Sequence, residues 1–158
     1  MALLKSALLA AGLGLMASPA LAHVGAEPGQ APAGAYQTVS FRVGHGCGTA
    51  ATTALRIEIP EGLASARPQP KPGWTLSIEK TGDRPTAFTW RGELPADQFD
   101  TFAILVKLPA TAGVLYFPTV QTCGTQESQW TQIPDPGEPP GGLSHPAPAL
   151  RVAPVEQP

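Results

Sequence analysis

Methionine is nearly absent from this 158-residue chain: there are two, Met1 and Met16. Both fall in an N-terminal stretch that reads as a secretory signal. Lys5 is its positive region, Ala7 to Met16 its apolar core, and Ala20-Leu21-Ala22 a small-x-small cleavage site. The exported chain then carries no thioether at all, which excludes a methionine site for Cu(I). The apolar stretch is shorter than the roughly 20 residues a membrane span needs. No second hydrophobic run follows, so no membrane anchor is expected after cleavage. A cysteine for lipid attachment at the cut site and a twin arginine are also missing, leaving a Sec-type route to a periplasm.

Charge of one sign is lacking too. The formal net charge is -2, with 10 Lys and Arg against 12 Asp and Glu, and losing Lys5 takes -2 to -3. The charges are scattered and form no basic stripe, so a nucleic-acid partner is not expected. There is no paired-histidine zinc motif, glycine-rich phosphate loop or Gly-x-Ser-x-Gly elbow. Serine, histidine and acidic residues do not group as a triad, and Glu27, Glu58 and Glu93 have no signature of paired acid–base work. Cysteine is limited to Cys47 and Cys123. In an oxidising compartment such a pair reads as a disulfide closing a long loop, the other reading being two metal thiolates.

Removing residues 1–22 from 158 leaves 136, enough for one domain with a sizeable core. Long stretches of helical period are missing, and short alternating runs take their place. Val39, Phe41 and Val43 form one, and Leu55, Ile57 and Ile59 another. Trp74, Leu76 and Ile78 follow, then Phe88 with Trp90, then Phe102, Ile104, Val106 and Leu108, then Leu115 with Phe117. Turn signals at Pro60-Glu61-Gly62, Pro72-Gly73, Thr81-Gly82-Asp83 and Ala112-Gly113 separate them. Six or seven strands so spaced predict an all-β protein, an antiparallel β-sandwich. At most a short helical turn is expected near Pro95 to Phe99. Eight of the 25 residues from Pro134 to Pro158 are proline, so 135–158 reads as a Pro/Gly-rich tail with a candidate edge strand at 149–153.

Three histidines carry the available chemistry. Cleavage after Ala22 makes His23 the first residue, giving it an α-amine as well as a ring. Amine and Nδ1 close a chelate, and two nitrogens suit Cu(II), which heads the divalent affinity series. His45 stands in Gly44-His45-Gly46-Cys47, where the glycines point to a tight turn or close backbone approach; taken alone it is a solvated loop histidine. His145, in the proline-rich tail, reads the same way. Trp74 and Trp90 fit core positions by alternation. Trp130 sits among polar residues and is expected to be partly exposed, where an indole can shield a metal or make a cation–π contact.

Taken in order, several segments resemble the YcnI-like family of extracytoplasmic copper-binding domains. They are His23-Val24 directly after the signal, Gly34-Ala35-Tyr36, Ala54-Leu55-Arg56-Ile57-Glu58-Ile59-Pro60-Glu61-Gly62, Pro72-Gly73-Trp74, Phe88-Thr89-Trp90, Gln98-Phe99-Asp100-Thr101-Phe102 to Lys107-Leu108-Pro109, and Trp130. The resemblance implies an immunoglobulin-like β-sandwich over residues 23–134 that binds one Cu(II). The N-terminal histidine would chelate as a single-histidine brace, a glutamate after the first strand would complete the site, and a tryptophan would pack close by. His23 and Trp130 match the first and last of these roles. The glutamate does not carry over, because Val43-Gly44-His45-Gly46-Cys47 stands in its place. His45 is expected to replace it, and a more nitrogen-rich set favours Cu(II) further or tolerates Zn(II). A Cys47–Cys123 bridge would then hold His45 and Trp130 close together.

The function so implied is periplasmic copper binding in trafficking, storage or homeostasis, with a copper transporter or an oxidase-assembly protein as candidate partner. Braces of an amine and two imidazoles also occur in copper monooxygenases that oxidise polysaccharides. This chain is short for that role and shows no flat aromatic substrate face, so a non-enzymatic carrier is expected. The remaining alternative is a secreted interaction module that binds no metal.

Overall fold

A computed structural model describes residues 24–155. It is built from strands: β1 (Gly25–Glu27), β2 (Gln30–Pro32), β3 (Tyr36–Val43), β4 (Thr52–Glu58), β5 (Ser65–Pro68), β6 (Thr75–Thr81), β7 (Arg84–Leu94), β8 (Asp100–Lys107), β9 (Gly113–Tyr116), β10 (Thr119–Cys123), β11 (Gln126–Trp130) and β12 (Ala149–Ala153). A 3-10 turn at Pro140–Gly142 is the only helical element among the described residues. None of the described helices is long and apolar enough to cross a membrane.

Alternation explains the four longest core strands. In β3, Val39, Phe41 and Val43 point inward and are fully buried or nearly so; in β8, Phe102, Ile104 and Val106 do the same. These two strands pair in one antiparallel register from Tyr36↔Lys107 to Val43↔Asp100. With β1 and β5 on their flanks they form a four-stranded sheet, β1-β3-β8-β5. Leu55 and Ile57 of β4 and Phe88 and Trp90 of β7 build the facing core of a five-stranded sheet, β11-β10-β4-β7-β6. The two sheets meet where Trp90 and Phe102 lie 5.6 Å apart in edge-on contact, and Phe41 stands 5.1 Å from Phe117 in the link between β9 and β10. Each such buried side chain contributes about 1.5–3 kcal/mol relative to exposure. The buried Trp90 indole also donates to the Gln69 carbonyl at 3.0 Å.

β6 departs from the simple pattern. It is the outer edge of the five-stranded sheet, and Ile78 is 47% exposed there, so the alternation of Trp74, Leu76 and Ile78 does not bury a full face. Trp74 instead folds back onto Phe102, ring centroids 4.9 Å apart. The β6–β7 hairpin turns at Gly82, whose φ of +59° an L side chain rarely adopts. The segment Pro95 to Phe99 forms a turn closed by Gln98 N to Pro95 O at 3.1 Å, not a helix.

The tail is part of the fold. β12 is not at an edge: it lies between β2, which it pairs in parallel, and β9, which it pairs antiparallel. Leu150 and Val152 are buried because both neighbours pin the strand against the body of the protein. The flanking prolines, Pro148 and Pro154, stand outside the ladder and leave it intact.

Candidate metal centre

The described chain opens at Val24, which is buried, and β1 begins at Gly25 opposite Arg42. β3 continues one residue past Arg42, to Val43, before Gly44 and His45 follow. The start of β1 and the His45 loop therefore occupy the same end of the four-stranded sheet. His23, the expected chelating residue, lies outside the described residues, as does the whole signal segment 1–22.

The His45 loop is held from three sides. Gly46 donates its amide to Ala96 O at 3.1 Å, and a Cβ there would sit 2.1 Å from Ala50 O and 2.9 Å from Ala96 Cα. The close backbone approach that the glycine suggested is thus present, and no other residue fits. Cys47 pairs with Ala50 through two backbone hydrogen bonds of 3.1 Å and forms a disulfide with Cys123, 76 positions along the chain. The thiolate alternative is thereby removed. The third tie is Gln121, a buried side chain whose Nε2 donates to the His45 carbonyl and to Thr52 Oγ1, both at 2.8 Å.

With its backbone fixed, the half-buried His45 ring places Nδ1 2.6 Å from Gly46 O. A carbonyl oxygen only accepts, so Nδ1 is the protonated nitrogen and Nε2 keeps its lone pair. Metal-binding histidines commonly have this arrangement, with the second nitrogen oriented by a carbonyl.

Trp130 ends β11 opposite Thr119 and is 5% exposed. The partial exposure expected of it is therefore not found. Its polar neighbours Gln129 and Thr131 alternate away from the core while the indole turns in. Cys123 pairs with Gln126 at the tip of the β10–β11 hairpin, four residues along β11 from Trp130. The disulfide thus anchors the His45 loop at the hairpin tip, and the tie nearer Trp130 is Gln121, whose partner Ser128 shares a face with Trp130. The Trp130 indole packs on the ring of His145, centroids 5.0 Å apart and tilted by 41°. His145 is not a free tail histidine, although its surface is exposed.

Several carboxylates are engaged elsewhere. Glu27 pairs with Arg42 at 3.1 Å, and Arg56 holds both Glu58 and Glu79 on the outer face of the five-stranded sheet. The two-pronged hydrogen bond from Arg56 keeps the Glu79 carboxyl below its usual range. Among the described residues no three His, Cys, Asp or Glu side chains gather as a metal cluster. Sequence reading missed Gln121 and Thr52, since buried polar residues within a strand leave no mark in a hydropathy pattern. Replacing Gln121 with alanine should cost about 2–3 kcal/mol, because the His45 carbonyl and Thr52 hydroxyl lose their buried donor. Urea unfolding measures this, and an unchanged midpoint would show that water replaces the amide.

Residues 23–152 match the family model for DUF1775, a domain of unknown function. The chain belongs to this family. It is 30% identical over 98 residues to the copper-binding protein CutI of Bacillus subtilis (strain 168), a match covering 60% of this chain and 48% of that protein. The chain thus spans about half the length of that curated relative. Together these matches support the YcnI-like assignment. Among solved structures, it is similar to an uncharacterized protein from Nocardia farcinica with an immunoglobulin-like fold. The TM-score is 0.66 at 34% identity, covering 83% of this chain and 98% of that one. The DUF1775 domain described here is accordingly an immunoglobulin-like β-sandwich.

Proposed function

We propose that this DUF1775 protein is exported to the periplasm and binds Cu(II) in copper trafficking, storage or homeostasis. The name of the Bacillus relative supports copper as the ion. The observation that carries the site is the His45 ring, whose Nδ1 is tied to Gly46 O so that Nε2 is left for a metal. Once the signal is cleaved, His23 supplies an α-amine and a second imidazole. It is joined to Val24, which the fold buries at the end of the sheet where β3 runs into His45. Trp130 supplies an apolar wall near the ion. Nitrogen donors of this kind suit Cu(II) above other divalent ions. The protein binds and hands over the metal, with a copper transporter or an oxidase-assembly protein as recipient, and turns nothing over.

Titration of the mature chain is expected to show one equivalent of Cu(II) bound. His45→Ala should weaken binding about tenfold to a hundredfold and alter the Cu(II) EPR spectrum, since a nitrogen ligand is lost. An unchanged affinity and spectrum would remove His45 from the site. Failure of the mature wild-type chain to bind Cu(II) would sink the function itself. Oxygen or peroxide consumption with a reductant would reveal turnover.

A further inference from the structure

His145 is held more firmly than a solvated histidine in a proline-rich segment requires. Its amide donates to Gln132 Oε1 at 2.7 Å, and its carbonyl accepts from Gln132 N at 3.0 Å. Ala147 N donates to Gln132 O at 2.8 Å, making Gln132 and Pro146 a parallel bridge. The backbone on both sides of His145 is therefore clamped to the residue two positions after Trp130. The ring lies on the Trp130 indole, and Nδ1 meets Ser144 Oγ at 3.1 Å. Nε2 makes no hydrogen bond to a described residue. The result is an imidazole preset in orientation, backed by a buried aromatic wall and open to solvent on its other side.

The fold brings this ring within one inward-facing rung of Gln121, the side chain that holds the backbone of His45, 100 positions earlier in the chain. Gln121 grips the His45 carbonyl, and Gln121 pairs with Ser128 one inward-facing rung from the Thr119–Trp130 pair that His145 covers. Along a strand such rungs are about 7 Å apart. The His45 backbone and the His145 ring are thus tied to neighbouring inward-facing rungs of the β10–β11 pair. Each ring has Nδ1 engaged and Nε2 without a hydrogen bond to a described residue. Preset donors of this kind lose little freedom on binding a metal.

We propose that His145 is a further Cu(II) ligand, donating through Nε2 from the solvent side of Trp130. The inference rests on the copper reading above and extends its donor set to a third imidazole. That set has no carboxylate, so the site would be all-nitrogen and more selective for Cu(II) over oxygen-preferring ions.

Two substitutions separate ligation from packing. His145→Ala removes the ring, and His145→Phe keeps an aromatic face on Trp130 without a nitrogen. Competition titration and pulsed EPR are run on both, on the wild type, and on wild-type protein whose N-terminal amine is acetylated. Both variants are expected to bind Cu(II) about tenfold more weakly and to lose one coupled imidazole from the EPR signal. The thermal midpoint of His145→Phe should stay near wild type, because a ring still covers the Trp130 indole. Wild-type affinity and spectrum in His145→Phe would overturn the inference, leaving His145 as a cover for the indole. If acetylation weakens binding in that same experiment, the copper reading survives and His145 alone is removed. Undiminished binding after acetylation, with both variants unaffected, would overturn the brace together with this inference.

Discussion

Acetylating the amine of a chain that begins at His23 is expected to weaken Cu(II) binding at least a hundredfold, and His23→Ala should do the same. The amine and Nδ1 of a terminal histidine close one chelate ring, so each donor holds the other's metal in place. Blocking the amine leaves His23 a lone imidazole to offer, and any second bond then costs its full ordering entropy. A hundredfold loss corresponds to about 2.7 kcal/mol, modest for one nitrogen donor on the ion that heads the affinity series. Acetylation is a better block than an added residue, whose own amine and intervening amide can form a new chelate with the histidine ring. Competition against a chelator of known affinity measures the change. Equal affinity before and after acetylation would show that the amine is not a ligand.

Legibility of the fold followed the chemistry of each strand's inner face. β3, β4, β7 and β8 were evident because their inward positions are Val, Ile, Leu, Phe and Trp. β10 escaped notice because its inward residues are Thr119, Gln121 and Cys123, all buried but mostly polar. Its outward residues include Val120, so the hydropathy pattern runs in reverse. β1 and β2 have three residues each, too few for a period, and they take their place from pairing to β3 and β12. β12 was visible as a strand, but its central position depends on β2, which no local signal marks.

The candidate site was legible where one residue carries its own chemistry, and obscure where neighbours supply it. Gly46 and Cys47 announced a tight, tethered loop, and the loop has both properties. The tautomer of His45 depends on the direction of the Gly46 carbonyl, which no spacing encodes. Likewise His145 looked like a solvated residue because its segment is rich in proline and glycine. Gln132 turns that segment back along the end of β11, and only then does the ring meet Trp130.

Replacing both cysteines, as Cys47→Ala with Cys123→Ala, should produce a large loss of stability. The bridge spans 76 positions, and closing a loop of that length restricts the unfolded chain by about 4 kcal/mol in the chain-entropy account. For a domain of this size that is a fall in midpoint of about 10–15 °C. The loss should also reach the metal. Cys47 is two residues from His45, and its sulfur lies 3.6 Å from Ser128 Oγ on the edge strand. Without the bridge, the loop keeps, among the described residues, the Gln121, Ala50 and Ala96 ties. His45 then samples more positions, and Cu(II) affinity should fall severalfold at a temperature where the variant is still folded. Calorimetry of the oxidised wild type, the reduced wild type and the double variant tests the first part, and titration well below the midpoint tests the second. Matching midpoints would mean the bridge constrains nothing the sheets do not already hold. A lowered midpoint with full copper affinity would mean that Gln121 and the Gly46 contacts suffice to place His45, making the disulfide a fastener of the fold alone.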